Sequence, residues 1–83
     1  MGYHVKHIRK GSYGEVSKVY EEVQELDDAL DQDNRVMGLV EMADILSAIN
    51  GILRNHYNSE ITLEDLVKMS RATDSAFADG SRK

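Results

Sequence analysis

Apolar residues spaced alternately three and four apart, with no proline anywhere in 83 residues, restrict this chain to helices. Val16, Val19, Val23, Leu26 and Leu30 form one such stripe, which predicts a helix from about Tyr13 to Asp31. Four polar turn formers follow, Asp31-Gln32-Asp33-Asn34. Leu39, Met42, Leu46, Ile49 and Leu53, widened by Ile45 and Ile52, predict a second helix from about Arg35 to His56. Gly38 and Gly51 lie inside it at about 1 kcal/mol each relative to alanine, a cost that calls for a packing or ligand reason. After a loop over 58–61, Thr62 and Asp65 have the spacing of an N-cap and its acidic partner. They open a third helix carrying Leu63, Leu66, Val67, Met69, Ala72, Ala76 and Phe77, which ends near Gly80.

The fold expected is therefore all-α: three helices in one domain over 1–83, with a tail over 80–83. The first eleven residues differ from the rest, being basic, free of acids and holding two of the three histidines. Tyr3, Val5 and His7 alternate with Gly2, His4 and Lys6, a weak two-residue period that suggests a short extended arm. Gly11 and Gly14 punctuate the entry to the first helix, with Ser12 and Glu15 as its expected capping box. The valine and leucine stripes are expected to be core, with Met37, Met42 and Met69 as filler.

A chain of this length buries only about 60–65% of its unfolded surface, so a lone copy is a doubtful unit. It has no cysteine, hence no disulfide and no thiolate metal site. Its net charge of −5 argues against binding to nucleic acid polymers, which calls for a basic face. No apolar run approaches the roughly 20 residues of a membrane span, and no signal-peptide core opens the chain. A soluble cytoplasmic protein is the expectation.

Two carboxylate pairs carry the chemistry: Glu22 with Glu25, and Glu41 with Asp44. Each is spaced i, i+3 on a predicted helix, so its members point the same way. At about 100° per residue both pairs lie beside an apolar stripe, near the seam between packed helices. In a hairpin turning at Asp33, Glu25 and Glu41 fall at equal heights, as do Glu22 and Asp44. Four anions in one half-buried layer repel and resist ionisation. A hard divalent cation, Mg²⁺ or Mn²⁺, removes that conflict and shares its shell with phosphates. Ser47, Ala48 and Gly51 leave space on the carboxylate side of the second helix, and Asn55 follows one turn on. Lys18 sits one turn before Glu22, where it can reach a phosphate.

Glu21-Glu22-Val23-Gln24-Glu25, followed after fifteen residues by Glu41-Met42-Ala43-Asp44, resembles the EExxE…ExxD signature of the MazG-like all-α nucleoside triphosphate pyrophosphohydrolases. The whole chain is similar to small phage-encoded members, which would place it in a host cytoplasm. The resemblance implies Mg²⁺ ligation by Glu22, Glu25, Glu41 and Asp44, with Glu21 as a further ligand or water-activating group. It implies cleavage of the α–β phosphoanhydride of a (d)NTP to a nucleoside monophosphate and pyrophosphate. It also implies a homo-oligomer, a dimer or tetramer that completes a helical bundle. The chain is shorter than most members and lacks the tryptophan that some use to stack the base, so base choice is open.

Plainer readings stand beside these. The carboxylates can be two solvated helix faces, and Asp27, Asp28, Asp31 and Asp33 are expected to be solvated charge near the turn. Lys18 can serve only as an i, i+4 partner of Glu22. His4, His7, Arg9 and Lys10 form either a basic arm closing over phosphates or a strand used for packing. Asn55 and Tyr13 are weaker candidates for polar contact with a substrate. An alarmone such as (p)ppGpp is an alternative substrate. A catalytically silent module binding a nucleotide, a metal or a host protein is an alternative of another class. A helical di-iron site is disfavoured, since it wants Glu-x-x-His pairs and neither carboxylate pair supplies a histidine.

Overall fold

The computed structural model describes residues 3–82. Met1, Gly2 and Lys83, parts of the expected arm and tail, lie outside the described residues. Three helices form, α1 (Val16–Asp31), α2 (Arg35–His56) and α3 (Leu63–Ala78), with no strand among the described residues. The all-α expectation holds.

Local chemistry sets most boundaries. Asp33 takes a left-handed backbone (φ 56°); its N–H donates to Leu30 O and that of Asn34 to Ala29 O, closing α1 in a Schellman turn. Asn34 then caps α2, its Oδ1 accepting from the Met37 N–H at 3.2 Å. Thr62 and Asp65 form a full capping box. The start of α1 departs from expectation: it begins at Val16, with Glu15 as an N-cap that makes no side-chain bond. Ser12 instead accepts the Glu15 N–H in a turn. Gly14, at φ 91°, bends that turn so that its backbone passes against Gly51. A Cβ on Gly51 would stand 2.8 Å from the Tyr13 ring and 3.1 Å from Gly14 N. On Gly38 it would meet Leu30 at 2.9 Å. Both helical glycines therefore have packing reasons, and together they show α2 running back along α1.

The seam between α1 and α2 corrects the sequence reading. The valine and leucine stripe of α1 is not the core: Val16, Val23 and Leu30 are half exposed, as are Leu39, Met42 and Leu46 of α2. Met42 and Met69 are exposed rather than filler. Apart from Gly14, Gly38 and Gly51, the buried residues among those described are instead Ala29, Ala48 and Leu53 together with Glu21, Glu22, Asp28 and Glu41. Lys18, Glu21, Glu22, Glu25, Asp28 and Ala29 share one face of α1, roughly 140° around the helix from the apolar stripe. That acidic face meets α2 along most of the seam, while Leu26 and Leu30 of the apolar stripe reach α2 at Gly38. Much of the apolar surface of α1 and of the first half of α2 stays exposed, and the radius of gyration of 14.5 Å exceeds the about 12 Å of a compact chain of this length.

α3 packs on the far end of α2, where Leu66 and Met69 meet Ile49, Ile52, Leu53 and Tyr57 around an apolar cleft. By length and hydropathy alone α2 reaches the range of a membrane-crossing helix, contrary to the sequence reading. Its buried Glu41 faces the acids of α1.

The arm lies across the acidic face. The expected alternation does not organise it, since neighbours Tyr3 and His4 both turn inward while Val5 is exposed. Gln32 donates to Tyr3 O at 2.7 Å, Lys6 pairs with Asp27 and Asp31, and Gly11 N–H donates to Glu21 Oε1 at 2.9 Å.

Candidate metal centre

Two helix faces and the arm bring the site together. α1 contributes Glu21, Glu22 and Glu25, and α2 contributes Glu41 and Asp44. Their carboxylate oxygens fall into groups within 4.8 Å: Glu22, Glu41 and Asp44 in one, Glu21, Glu22 and Glu25 in another. Glu25 and Glu41 join His4 in a third group of the same span. Glu22, Glu25 and Glu41 each belong to two groups, so all four expected ligands sit in one connected cluster. Lys18 lies at its edge, 3.2 Å from both Glu21 and Glu22.

The electrostatics follow from burial without enough positive charge. Burial and the charge of Glu22 push the Glu25 carboxyl up to about 7. Burial likewise raises Glu22, against the pull of Lys18, and raises Asp44, helped by the nearby Glu41. Glu21 goes the other way. Burial opposes its ionisation, but the Gly11 N–H and Lys18 outweigh it and hold the carboxyl at about 2. Tyr3 donates its hydroxyl to Glu41 Oε2, and burial together with that bond raises the phenol.

Among the described residues, three carboxylate oxygens are buried with no hydrogen-bond partner: Glu22 Oε1, Asp28 Oδ1 and Glu41 Oε1. A buried charged oxygen without a donor is strongly disfavoured. A cation in the cluster would supply a partner for Glu22 Oε1 and Glu41 Oε1, and an all-oxygen donor set is the kind that a hard ion such as Mg²⁺ takes. The residues present therefore fit a divalent ion.

The other expected site residues are placed as follows. Lys10 is exposed and comes within 3.5 Å of Glu21 Oε2. Asn55 is eleven residues beyond Asp44, about 16 Å along the helix. Its amide donates to Gly14 O at 3.1 Å and Glu15 Oε2 at 2.8 Å, so it holds the start of α1. The small Gly51 on the same side receives Tyr13, and the two line an open cavity together with Gly14, Arg54 and Asn55.

Asp28 corrects the expectation of solvated charge, which suits Asp27, Asp31 and Asp33. It is fully buried and accepts from His4 Nδ1 at 2.8 Å and the Val5 N–H at 2.9 Å. Burial opposes its charge, yet those bonds lower its carboxyl below the ordinary value. The available signal was phase: Asp28 lies three residues after Glu25 and seven after Glu21, on the same face. His4, its partner, stands 24 residues away in sequence.

The chain matches no protein-family model, no curated protein and no solved structure. What defines it is its own geometry: an all-α protein whose helix hairpin encloses a buried carboxylate cluster able to hold a metal ion.

Proposed function

We propose that this protein is a Mg²⁺-dependent nucleotide pyrophosphohydrolase of the MazG-like kind, cleaving the α–β phosphoanhydride of a (d)NTP or related nucleotide to a monophosphate and pyrophosphate. The observation that carries this reading is the set of partnerless buried oxygens in a cluster formed by Glu22, Glu25, Glu41 and Asp44. Folding anions into a seam that apolar residues could have filled has a structural cost, and binding a cation is a function that accounts for it.

When bound, Mg²⁺ polarises a phosphoryl oxygen and activates a water. Glu22, Glu25, Glu41 and Asp44 would hold it, and Glu25 would give up its proton on becoming a ligand. Lys18 pins Glu21 and Glu22 from the rim, partly exposed, and is placed to meet a phosphate arriving over the cluster. Glu21, held at about 2, is too weak a base to accept a proton near neutrality. Its part is to position Lys18 and the arm. Lys10, exposed at the rim beside Glu21, adds positive charge for the distal phosphates.

The exposed apolar faces of α1 and α2 support a homo-oligomer, a dimer or tetramer, as the working unit. A screen of nucleotides for pyrophosphate release with and without Mg²⁺ tests the proposal. Release that needs Mg²⁺ and disappears in Glu41→Gln supports it; absence of release from every nucleotide sinks the enzymatic reading.

A further inference from the structure

His4 reaches the cluster from the arm, and its placement bears on which ion the cluster prefers. Its Nε2 lies 3.4 Å from Glu25 Oε1 and 3.4 Å from Glu41 Oε2. Its Nδ1 lies 2.8 Å from Asp28 Oδ2. The fully buried Asp28 carboxylate can only accept, so Nδ1 carries the hydrogen and donates it. That leaves Nε2 facing two carboxylate oxygens, three possible ligand atoms converging on one point. The imidazole is mostly buried, and Glu41, almost wholly buried, has its other oxygen without a partner.

We propose that His4 Nε2, Glu25 and Glu41 form a second cation position selective for a first-row transition ion over Mg²⁺, with Asp28 as the residue that positions His4. The spacings suit it. Ligand atoms about 2.1 Å from an octahedral ion lie about 3 Å apart when adjacent, close to the 3.4 Å separations here. A carboxylate behind the far nitrogen of an imidazole is the usual support of a metal-bound histidine; it fixes the tautomer and raises the basicity of the free nitrogen. One nitrogen in place of an oxygen moves preference from Mg²⁺ toward Mn²⁺ and its neighbours. Glu41 belongs to this position and to the all-oxygen group with Glu22 and Asp44, so the two positions adjoin. Filling the second fastens the arm onto α1. This inference rests on the cation reading of the cluster, not on hydrolysis.

Mn²⁺ is the probe. The full chain is titrated with Mn²⁺ and Mg²⁺ by calorimetry, and the bound Mn²⁺ is examined by pulsed electron paramagnetic resonance for coupling to a ring nitrogen. The wild type is expected to show that coupling and to hold Mn²⁺ at least tenfold more tightly than Mg²⁺. His4→Gln should lose the coupling and the selectivity while keeping Mg²⁺ binding and helical circular dichroism. His7→Gln, at an exposed position, should retain both. Asp28→Asn should keep the coupling and weaken Mn²⁺ by about 10–100-fold. Mn²⁺ bound without nitrogen coupling, or coupling that persists in His4→Gln, overturns the assignment of His4 and leaves the carboxylate cluster standing. Absence of binding by both ions overturns the cluster and this position together.

Discussion

Without divalent cations, this protein should be more stable at pH 5 than at pH 7.5, the reverse of a domain held together by paired carboxylates. The cause is the anionic seam. Glu25, largely buried beside Glu22 and Glu41, has its carboxyl held at about 7 rather than the ordinary 4.5. Forcing it to ionise in the fold costs on the order of 3 kcal/mol, at about 1.4 kcal/mol per decade. Below pH 4.5 it is protonated in both the folded and the unfolded chain, and the preference of the fold for that form is fully kept. Between 4.5 and 7 the unfolded chain ionises first, so stability falls, and above 7 the loss is complete. Glu22 and Asp44, raised by burial, act in the same direction. Glu21 and Asp28 are lowered; the stability they contribute is lost only as pH falls below their ordinary values, outside this window. A chain of this size has only about 4–12 kcal/mol of stability, and 1 kcal/mol moves Tm by about 4–8 °C. Thermal unfolding followed at 222 nm in EDTA should therefore show Tm at pH 7.5 lower than at pH 5 by at least about 10 °C, with millimolar Mg²⁺ restoring most of the difference. A Tm that is flat or rises with pH in EDTA, or is indifferent to Mg²⁺, refutes the reasoning.

Other outcomes follow from the same structure. Glu41→Gln removes one buried charge; in EDTA at pH 7.5 it should melt above the wild type, while its Mg²⁺-induced shift and turnover disappear. Mg²⁺ uptake at pH 7 should release protons from Glu25, visible as a calorimetric heat that varies with the ionisation enthalpy of the buffer. Gly11→Ala places a Cβ 2.2 Å from the backbone oxygen of Ser17, so it should free the arm and raise amide exchange over 3–11 while α2 stays protected. Asn55→Ala loses the bonds to Gly14 and Glu15; it should destabilise by about 1–2 kcal/mol in a denaturant titration without altering Mg²⁺ affinity. Leu39→Asp, in the exposed apolar face, should reduce the mass seen by light scattering to that of a single chain.

The helices were legible in the sequence where local chemistry decides them. Asn34 and the Thr62–Asp65 box mark their own N-termini, and α2 begins and ends at the residues its pattern predicts. The start of α1 was not, because Ser12 and Glu15 imitate a capping box while the left-handed Gly14 answers to Gly51, 37 residues on. The paired spacing of Glu22, Glu25, Glu41 and Asp44 did locate the cluster. Its depth was hidden, since amphipathicity assigns valine and leucine to the seam and acids to its edge. Here the acids face α2, and the apolar stripes of Val23 and Leu39 are left for another surface. Asp28 was missed for a related reason: its burial depends on His4 and Val5 from an arm whose path no periodicity encodes.

The most direct measurement is an anomalous difference map from crystals of the protein soaked in Mn²⁺. A divalent cation held by the buried cluster predicts a strong peak among Glu22, Glu25, Glu41 and Asp44 that vanishes in Glu41→Gln. An ordered cluster with no peak, or peaks only beside exposed acids such as Asp27 and Asp31, contradicts it.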